Sequence, residues 1–174
     1  MNSRRHAHVV NENDIEWARP ETHKMFGAAR KRLGGEVGAE KIGCTLFEVE
    51  PGKRAFPMHA HSMNEEAVYV LAGTGTLRIG TGDAEQQVPI RAGDFMAFPA
   101  SLRLAHQIVN TSEEVLRYLC ISTQSLPEVL VYPDSKKVGL MVQAEAGLPD
   151  WPELRGRSFK LLRDEDSLGY YDGE

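Results

Sequence analysis

Three histidines and one glutamate in the middle of the chain could together bind a divalent metal ion. His59 and His61 are separated by one residue, so a strand through them would project both imidazoles to one side. A turn over residues 62–65 would follow, and Glu66 opens the next apolar run, from which its carboxylate could reach the same ion. His106 begins a later strand and would complete the set. The alternative is that these are ordinary hydrogen-bonded polar residues at strand ends.

Such a site would have a mixed nitrogen and oxygen donor set with open coordination positions. Three neutral imidazoles, one carboxylate and no thiolate are compatible with Zn, Fe, Mn or Ni, so one divalent ion is expected without a choice among these. Four protein ligands on an octahedral ion leave two positions for water or substrate. Two open positions suit bidentate binding of a diol, keto acid or enediol, and therefore Lewis-acid or oxygen chemistry.

A histidine pair with this spacing is weak evidence by itself, because the chain contains a second one. His6 and His8 have the same spacing near the N-terminus, and we expect both to be surface residues. What distinguishes His59 and His61 is their surroundings. A turn glycine precedes them, and Gly73 ends the run that the following glutamate opens.

Short strands are the predicted framework for these residues. Apolar or alternating runs are separated by turn residues, and runs this short and closely spaced predict an antiparallel sandwich or barrel. Helical signals are weak: residues 23–33 contain helix formers but are interrupted by Gly27, and this segment could equally be a strand at a sheet edge. The predicted strands are 44–49, 67–71, 76–79, 87–90, 95–98, 106–110 and 115–121.

The order of these residues resembles the two sequence motifs of the cupin superfamily. In that family the first motif is G(X)5HXH(X)3,4E(X)6G and the second is G(X)5PXG(X)2H(X)3N. The matching residues are Gly52, His59, His61, Glu66 and Gly73 for the first motif, and Gly93, Pro99, His106 and Asn110 for the second. Glu66 fits the first motif better than Glu65, because six residues separate it from Gly73.

The chain departs from the family pattern at two places. Six residues rather than five separate Gly52 from His59. Six rather than four separate Pro99 from His106, and the glycine of the motif is absent there. The second departure concerns the loop before His106, whereas the spacing of three residues from His106 to Asn110 is kept.

The resemblance implies an all-β fold, the double-stranded β-helix or jelly-roll-like barrel of cupins. It extends over residues 41–123, which would be the barrel core. Residues 1–40 would supply N-terminal strands or an arm that packs on the barrel, and residues 124–174 a C-terminal arm that wraps it and ends in a mobile tail. The resemblance also implies four metal ligands: His59, His61, Glu66 and His106.

Two segments outside the barrel core resemble those of a group of small bacterial single-domain cupins, namely Tyr132-Pro133-Asp134-Ser135 and Tyr171–Glu174. Some members of that group carry sugar-phosphate-isomerase-like labels. The expected function is a metal-binding cupin that acts on a small molecule, as an isomerase or a dioxygenase. The alternative is a non-catalytic cupin that binds a small ligand or a metal.

The lining of the pocket should discriminate among these functions. An Arg or Lys group converging on the metal would favour the sugar-phosphate isomerase, whereas a sealed apolar pocket would favour the dioxygenase or the binding module. Residues of inward parity, expected mainly as barrel core, are Val68, Val70, Met96, Phe98 and Ile108. Candidate polar contacts, each with a structural or surface role as the alternative, are Arg54, Tyr69, Gln107 and Tyr118. No residue stands out as a general base.

Charge and composition argue against nucleic-acid and membrane partners. The chain of 174 residues carries a formal net charge of -5 and has no apolar stretch of the roughly 20 residues that cross a bilayer. The local basic cluster Arg30-Lys31-Arg32 flanks Gly34-Gly35, so we expect an exposed turn beside an edge strand. Cys44 and Cys120 are expected to be buried free thiols in a cytoplasmic protein.

A small-molecule ligand and a second copy of the chain are the expected partners. An open barrel leaves edge strands that need cover. The sequence therefore predicts a homodimer in which N-terminal strands pack on the partner or cross to it.

Overall fold

Short antiparallel strands form nearly all the regular structure of the computed structural model, which describes residues 5–21, 23–144, 156–163 and 165. Within those ranges the one α-helix is the single turn α1 (Leu33–Glu36). The strands are β1 (Ala29–Lys31), β2 (Ile42–Val49), β3 (Ala60–His61), β4 (Glu66–Ala72), β5 (Thr74–Ile79), β6 (Gln86–Arg91), β7 (Phe95–Phe98), β8 (His106–Val109), β9 (Leu116–Thr123), β10 (Glu128–Tyr132), β11 (Lys137–Ala144) and β12 (Gly156–Arg163). The predicted all-β fold is confirmed.

Three antiparallel sheets make up the barrel. The largest has the order β1-β2-β9-β4-β7, the second β12-β11-β10-β3 and the third β6-β5-β8. Neighbouring strands in these sheets are often far apart in the chain, as in the pairing of β3 with β10 and of β5 with β8. The long connections bring together residues from separate parts of the sequence, which is how the candidate site is assembled.

The apolar core lies between the sheets and follows the alternation of strand residues. On β4, Val68 and Val70 are buried while Tyr69 and Leu71 are exposed, because successive side chains of a strand point to opposite faces. The residues predicted to face inward all belong to one buried cluster: Val68, Val70, Met96, Phe98 and Ile108. Their assignment to the barrel core is confirmed.

The N-terminal basic cluster lies largely on an edge strand. Residues 23–33 were expected to form either a helix or an edge strand. Within this segment β1 forms a strand that pairs with β2. Lys31 is only 7% exposed; its Nζ donates a hydrogen bond to the Glu12 carbonyl at 2.8 Å and lies 4.5 Å from the centroid of the Trp17 ring. The expectation of an exposed turn is wrong for Lys31, because the alternation of β1 directs this side chain beneath the N-terminal segment.

The segment after residue 123 forms strands rather than only an arm. β10 pairs with β3, and β11 pairs with both β10 and β12. Pro133 lies in the 3-10 turn between β10 and β11, where it interrupts neither strand. Apart from residues 163 and 165, the predicted mobile end from 163 to 174 lies outside the described residues.

Gly73, the last residue of the first motif, has a steric reason to be glycine. Its φ is +83°, a conformation that residues with a side chain rarely adopt. A Cβ atom at this position would lie 2.6 Å from the carbonyl oxygen of Val115. The tight turn between β4 and β5 therefore depends on a missing side chain. In the described part of the chain, no helix is long and apolar enough to cross a membrane.

Candidate metal centre

Two of the predicted ligands face each other across a pair of backbone segments. His59 and His106 form an antiparallel bridge in which each backbone N–H donates to the other residue's carbonyl, at 3.2 and 2.8 Å. Directly opposed residues of this kind place their side chains on the same face. The two imidazole centroids lie 4.8 Å apart.

The third histidine follows the alternation of the short strand β3. Met58 and Ala60 are buried in a small separate cluster with Ala105, so His59 and His61 point the other way, as predicted. β3 is held in place by β10, where Leu130 is the partner of His61. The C-terminal segment thus fixes the strand that carries one of the candidate ligands.

Glu66 enters the same space from the start of β4. It lies between Phe98 on the edge strand β7 and Ser122 on β9 in the largest sheet. Glu65 is exposed, whereas the side chain of Glu66 is 16% exposed. The choice of Glu66 rather than Glu65 agrees with this orientation.

One oxygen of Glu66 is close to all three imidazoles. The distances from Glu66 Oε2 are 3.0 Å to Nε2 of His106, 3.5 Å to Nε2 of His61 and 3.8 Å to Nε2 of His59. Donor atoms of His59, Glu66 and His106 all lie within 4.8 Å of one another, a group that could hold a metal ion. The three histidines thus surround one oxygen of Glu66, while the group whose donor atoms all lie close enough to share an ion comprises His59, Glu66 and His106 and leaves out His61.

The rings of His59 and His106 are held in defined orientations. Nδ1 of His59 lies 2.9 Å from the carbonyl oxygen of Pro57. Because a carbonyl oxygen only accepts hydrogen bonds, Nδ1 carries the proton, and the lone pair of Nε2 faces Glu66. The His106 ring stacks on Phe98 with centroids 3.8 Å apart and planes 4° from parallel. Both contacts pre-arrange nitrogen atoms for a ligand in the space beside Glu66.

His61 shows that the donor set suits a metal ion. Both of its ring nitrogens are buried and neither makes a hydrogen bond with good geometry in the described structure. Buried polar atoms without a partner are costly, and an imidazole nitrogen facing a carboxylate and two other imidazoles would gain its partner from a divalent cation. The residues present thus fit a metal centre.

Behind His61 lies a buried carboxylate that the sequence reasoning missed. Glu128 is 1% exposed, and its Oε1 lies 3.6 Å from Nδ1 of His61. The same oxygen accepts a hydrogen bond from the backbone N–H of Ser62 at 2.8 Å, and the other oxygen accepts one from the side-chain amide of Asn64. An acidic residue at the start of the apolar run 128–132 was the available signal.

The acid–base properties of the site follow from its burial and its charges. Burial and the charge of His106 lower the pKa of His59 to about 4. Burial also opposes protonation of His61, but the carboxylates of Glu66 and Glu128 outweigh it and raise the pKa of His61. Burial would raise the pKa of Glu66, yet the surrounding histidines hold that pKa well below its usual range. Glu66 is therefore ionised and His59 neutral near pH 7.

A small cavity of about 40 Å³ lies on the barrel side of these residues. Of the candidate polar contacts, Gln107 and Tyr118 line it. Gln107 has a structural role, because its amide donates to the Phe56 carbonyl at 2.8 Å and accepts from Arg78 at 2.8 Å. Cys120 lines it too; its Sγ lies 3.9 Å from Glu66 Oε1, and burial raises the pKa of this thiol.

The remaining candidates lie away from the ligand group. Tyr69 is exposed on the outer face of β4, and the Arg54 guanidinium lies against Met25 and the ring of Phe26. Asn110 closes a turn: its side chain is fully buried and donates to the carbonyls of Val49 and Glu114. The two cysteines are free and half-buried.

A second, larger cavity of about 490 Å³ opens on the other side of the candidate ligands. This volume is in the range of small-molecule sites. His59, His61 and Glu66 line it, so a molecule in this cavity would touch the candidate metal centre directly. The rest of the lining is mixed: Arg30, Arg32, Phe56, Pro57, Leu130, Tyr132, Met141 and Phe159.

Comparison with known proteins agrees with this architecture. The family model for a cupin domain matches residues 45–122, a range that contains all four candidate ligands. A structure from Acidithiobacillus ferrooxidans, provisionally named as a sugar phosphate isomerase, is 32% identical with a TM-score of 0.66, over 84% of this chain and 82% of that one. This chain belongs to the cupin superfamily.

Other cupin relatives support the fold over a longer range. A sugar phosphate isomerase of the cupin superfamily from Silicibacter pomeroyi superposes with a TM-score of 0.72 at 24% identity, over 94% of this chain and 98% of its own. At that identity the likeness shows the fold. Auxin-binding protein 1 from Arabidopsis thaliana is 30% identical in an alignment of 115 positions that covers 62% of this chain. The match spans just over half of that relative's length, 56%.

Proposed function

We propose that this cupin binds one divalent metal ion through His59, His61, Glu66 and His106 and isomerises a small hydroxylated carbonyl compound. The observation that carries the proposal is the convergence of three Nε2 atoms on Glu66 Oε2, at 3.0 to 3.8 Å, beside a cavity of small-molecule size. A bound Zn, Fe, Mn or Ni ion would act as a Lewis acid that polarises a carbonyl group.

The residues around the cavity have roles that follow from their positions. His59 presents Nε2 because its Nδ1 proton is used by the Pro57 carbonyl. Tyr132 lines the cavity and lies nearly parallel to the His59 ring, with centroids 6.2 Å apart. Burial raises the pKa of Tyr132, so its phenol keeps its proton near pH 7 and can donate a hydrogen bond to a substrate oxygen. Leu130 and Phe159 supply apolar surface that displaces water from a bound molecule.

Two observations favour isomerisation over dioxygenase chemistry. The larger cavity is open and carries charged residues beside apolar ones, whereas a sealed apolar pocket was the expectation for a dioxygenase or a binding module. The similar protein from Acidithiobacillus ferrooxidans bears an isomerase name at 32% identity over most of both chains.

A non-catalytic ligand-binding role is the second candidate. It is supported by the similarity to an auxin-binding protein. It is also supported by the lining of the cavity: among the described residues that line it, those outside the candidate ligand set include no Asp, Glu, Lys or His that could act as a general base.

The test is conversion by the metal-loaded protein. Full-length protein loaded in turn with Zn, Fe, Mn and Ni would be incubated with aldoses, ketoses and their phosphates in D2O and followed by proton NMR. An isomerase would interconvert one such pair, and its Glu66→Gln variant would not. Saturable binding of a compound without conversion under every metal would instead establish the ligand-binding role.

A further inference from the structure

Two arginines near the N-terminus face the cavity that contains the candidate metal ligands. Arg30 lies at the centre of β1, and Arg32 follows the strand by one residue. Residues two apart in a strand share a face, and both arginines line the cavity of about 490 Å³ together with His59, His61 and Glu66. The intervening Lys31 points to the opposite side and is used by the N-terminal segment.

The side chain of Arg30 is poorly satisfied. It is half-buried, and its Nε is inaccessible and has no hydrogen-bond partner in the described part of the chain. Two other arginines have carboxylate partners: Arg78 bonds Glu85 and Asp134, and Arg117 pairs with Glu12 and Glu48. Arg54 resembles Arg30 in having a buried Nε without a hydrogen bond, but it does not line this cavity. A guanidinium left without a partner beside a cavity is set to bind a group that enters it.

The charges around the cavity favour an anion. Among the described residues that line it, Glu66 is the only acidic one, and its carboxylate faces the three histidines. Two guanidinium groups are therefore not neutralised by the described walls of the cavity. Positive groups on an apolar wall concentrate the potential and attract negatively charged ligands. Arg30 and Arg32 would draw such a ligand toward the candidate metal centre.

We propose that Arg30 and Arg32 form an anion subsite that binds the phosphate, or another oxyanion group, of the small molecule whose other end reaches His59, His61 and Glu66. The planar guanidinium matches the oxygen spacing of phosphate and carboxylate groups and donates paired hydrogen bonds to them. The inference rests on the proposed function, because it names the substrate class of the same site: a small hydroxylated compound with an anionic group.

Binding of inorganic phosphate to the full chain tests the subsite without any catalytic readout. Phosphate would be titrated calorimetrically into the metal-free and the metal-loaded protein, with acetate and glycerol as parallel ligands at equal ionic strength. The variants are Arg30→Gln, Arg32→Gln and the double variant. Arg91→Gln is the matched control, because Arg91 is exposed on β6 and lines no part of this cavity.

We expect each arginine variant to bind phosphate about ten-fold more weakly, the double variant to show no measurable binding and Arg91→Gln to match the unaltered protein. Stronger binding of phosphate than acetate assigns a phosphate group, and the reverse assigns a carboxylate. Equal phosphate affinity in the double variant, or no phosphate binding by the unaltered protein in either form, would overturn the subsite. The titration of the metal-free protein tests the arginine subsite alone, so a failure of the metal proposal would leave its result unchanged.

Discussion

The carboxylate of Glu128 lies 3.6 Å from Nδ1 of His61, on the side of the ring away from Glu66. The two residues come from β10 and β3, which are paired strands. Glu128 is fixed in turn by hydrogen bonds from the Ser62 backbone and the Asn64 side chain. A carboxylate behind a metal-binding imidazole orients the ring and increases its basicity.

Replacing Glu128 should therefore weaken metal binding without touching a ligand. We expect Glu128→Gln to lower metal affinity by about 10- to 100-fold, measured by competition with a chromogenic chelator. Glu65→Gln is the matched control, because it removes the same charge from an exposed position. Loss of the buried acceptor should also cost about 1–3 kcal/mol of unfolding free energy, so affinity is measured well below the melting temperature. Unchanged affinity would show that His61 needs no support from β10.

Metal should stabilise the folded protein, and removing one ligand should abolish that effect. The apolar cluster of the core does not include His59, so His59→Ala is expected to fold. A metal that binds only the folded state adds about 2.7 kcal/mol at 100 times its dissociation constant. Thermal denaturation with and without metal should show a rise in Tm for the unaltered protein and none for His59→Ala. The same rise in both proteins would place the metal elsewhere.

Metal affinity should depend on pH through His61. In the metal-free protein the pKa of His61 is raised by Glu66 and Glu128, whereas the pKa of His59 is about 4. The metal must displace the His61 proton, so affinity is constant above that raised pKa and falls about ten-fold per pH unit below it. Glu128→Gln removes one of the raising charges, so its decline should begin at lower pH. An affinity that stays flat from pH 8 to 5 would contradict this coupling.

The parts of the site that are local in sequence could be predicted, and those that depend on distant pairing could not. The spacing of His59 and His61 determines their common face in any strand, and the motif distance to Gly73 selects Glu66. Glu128 could not be placed in this way, because its contact with His61 depends on the pairing of β3 with β10. Nothing in the apolar run that it opens specifies a partner strand.

The arginines show a second limit of the sequence. A run of three basic residues carries no information about which side each one faces until the strand is defined. With β1 in place, Lys31 is buried against Trp17 while Arg30 and Arg32 line the cavity. An exposed turn was predicted for the three basic residues together. The alternation of the strand instead separates Lys31 from Arg30 and Arg32.

The sequence predicts a homodimer in which N-terminal strands pack on the partner or cross to it, and the outer face of the largest sheet offers a further surface for contact between two chains. Phe95 is 66% exposed beside its strand partner Tyr69, which is also exposed, and exposed apolar patches of this kind mark interaction surfaces. We expect light scattering at micromolar concentration to give twice the chain mass of 19.4 kDa. Phe95→Glu should shift the mass toward that of one chain. Val88→Glu is the control, because Val88 is an exposed apolar residue of β6 in a different sheet, and it should not shift the mass. A single-chain mass for the unaltered protein would remove the prediction.

Metal stoichiometry in single-ligand variants is the sharpest test of the proposed site of His59, His61, Glu66 and His106. The full chain and its variants His61→Ala, Glu66→Gln and His106→Ala would be saturated with Zn, desalted and analysed by elemental analysis, with Glu65→Gln and His8→Ala as controls. We expect one ion per chain in the unaltered protein and both controls, and the loss of most of the bound ion in each ligand variant. Full occupancy in Glu66→Gln and His106→Ala would contradict the proposed site, because it would place the ion outside the group that converges on Glu66.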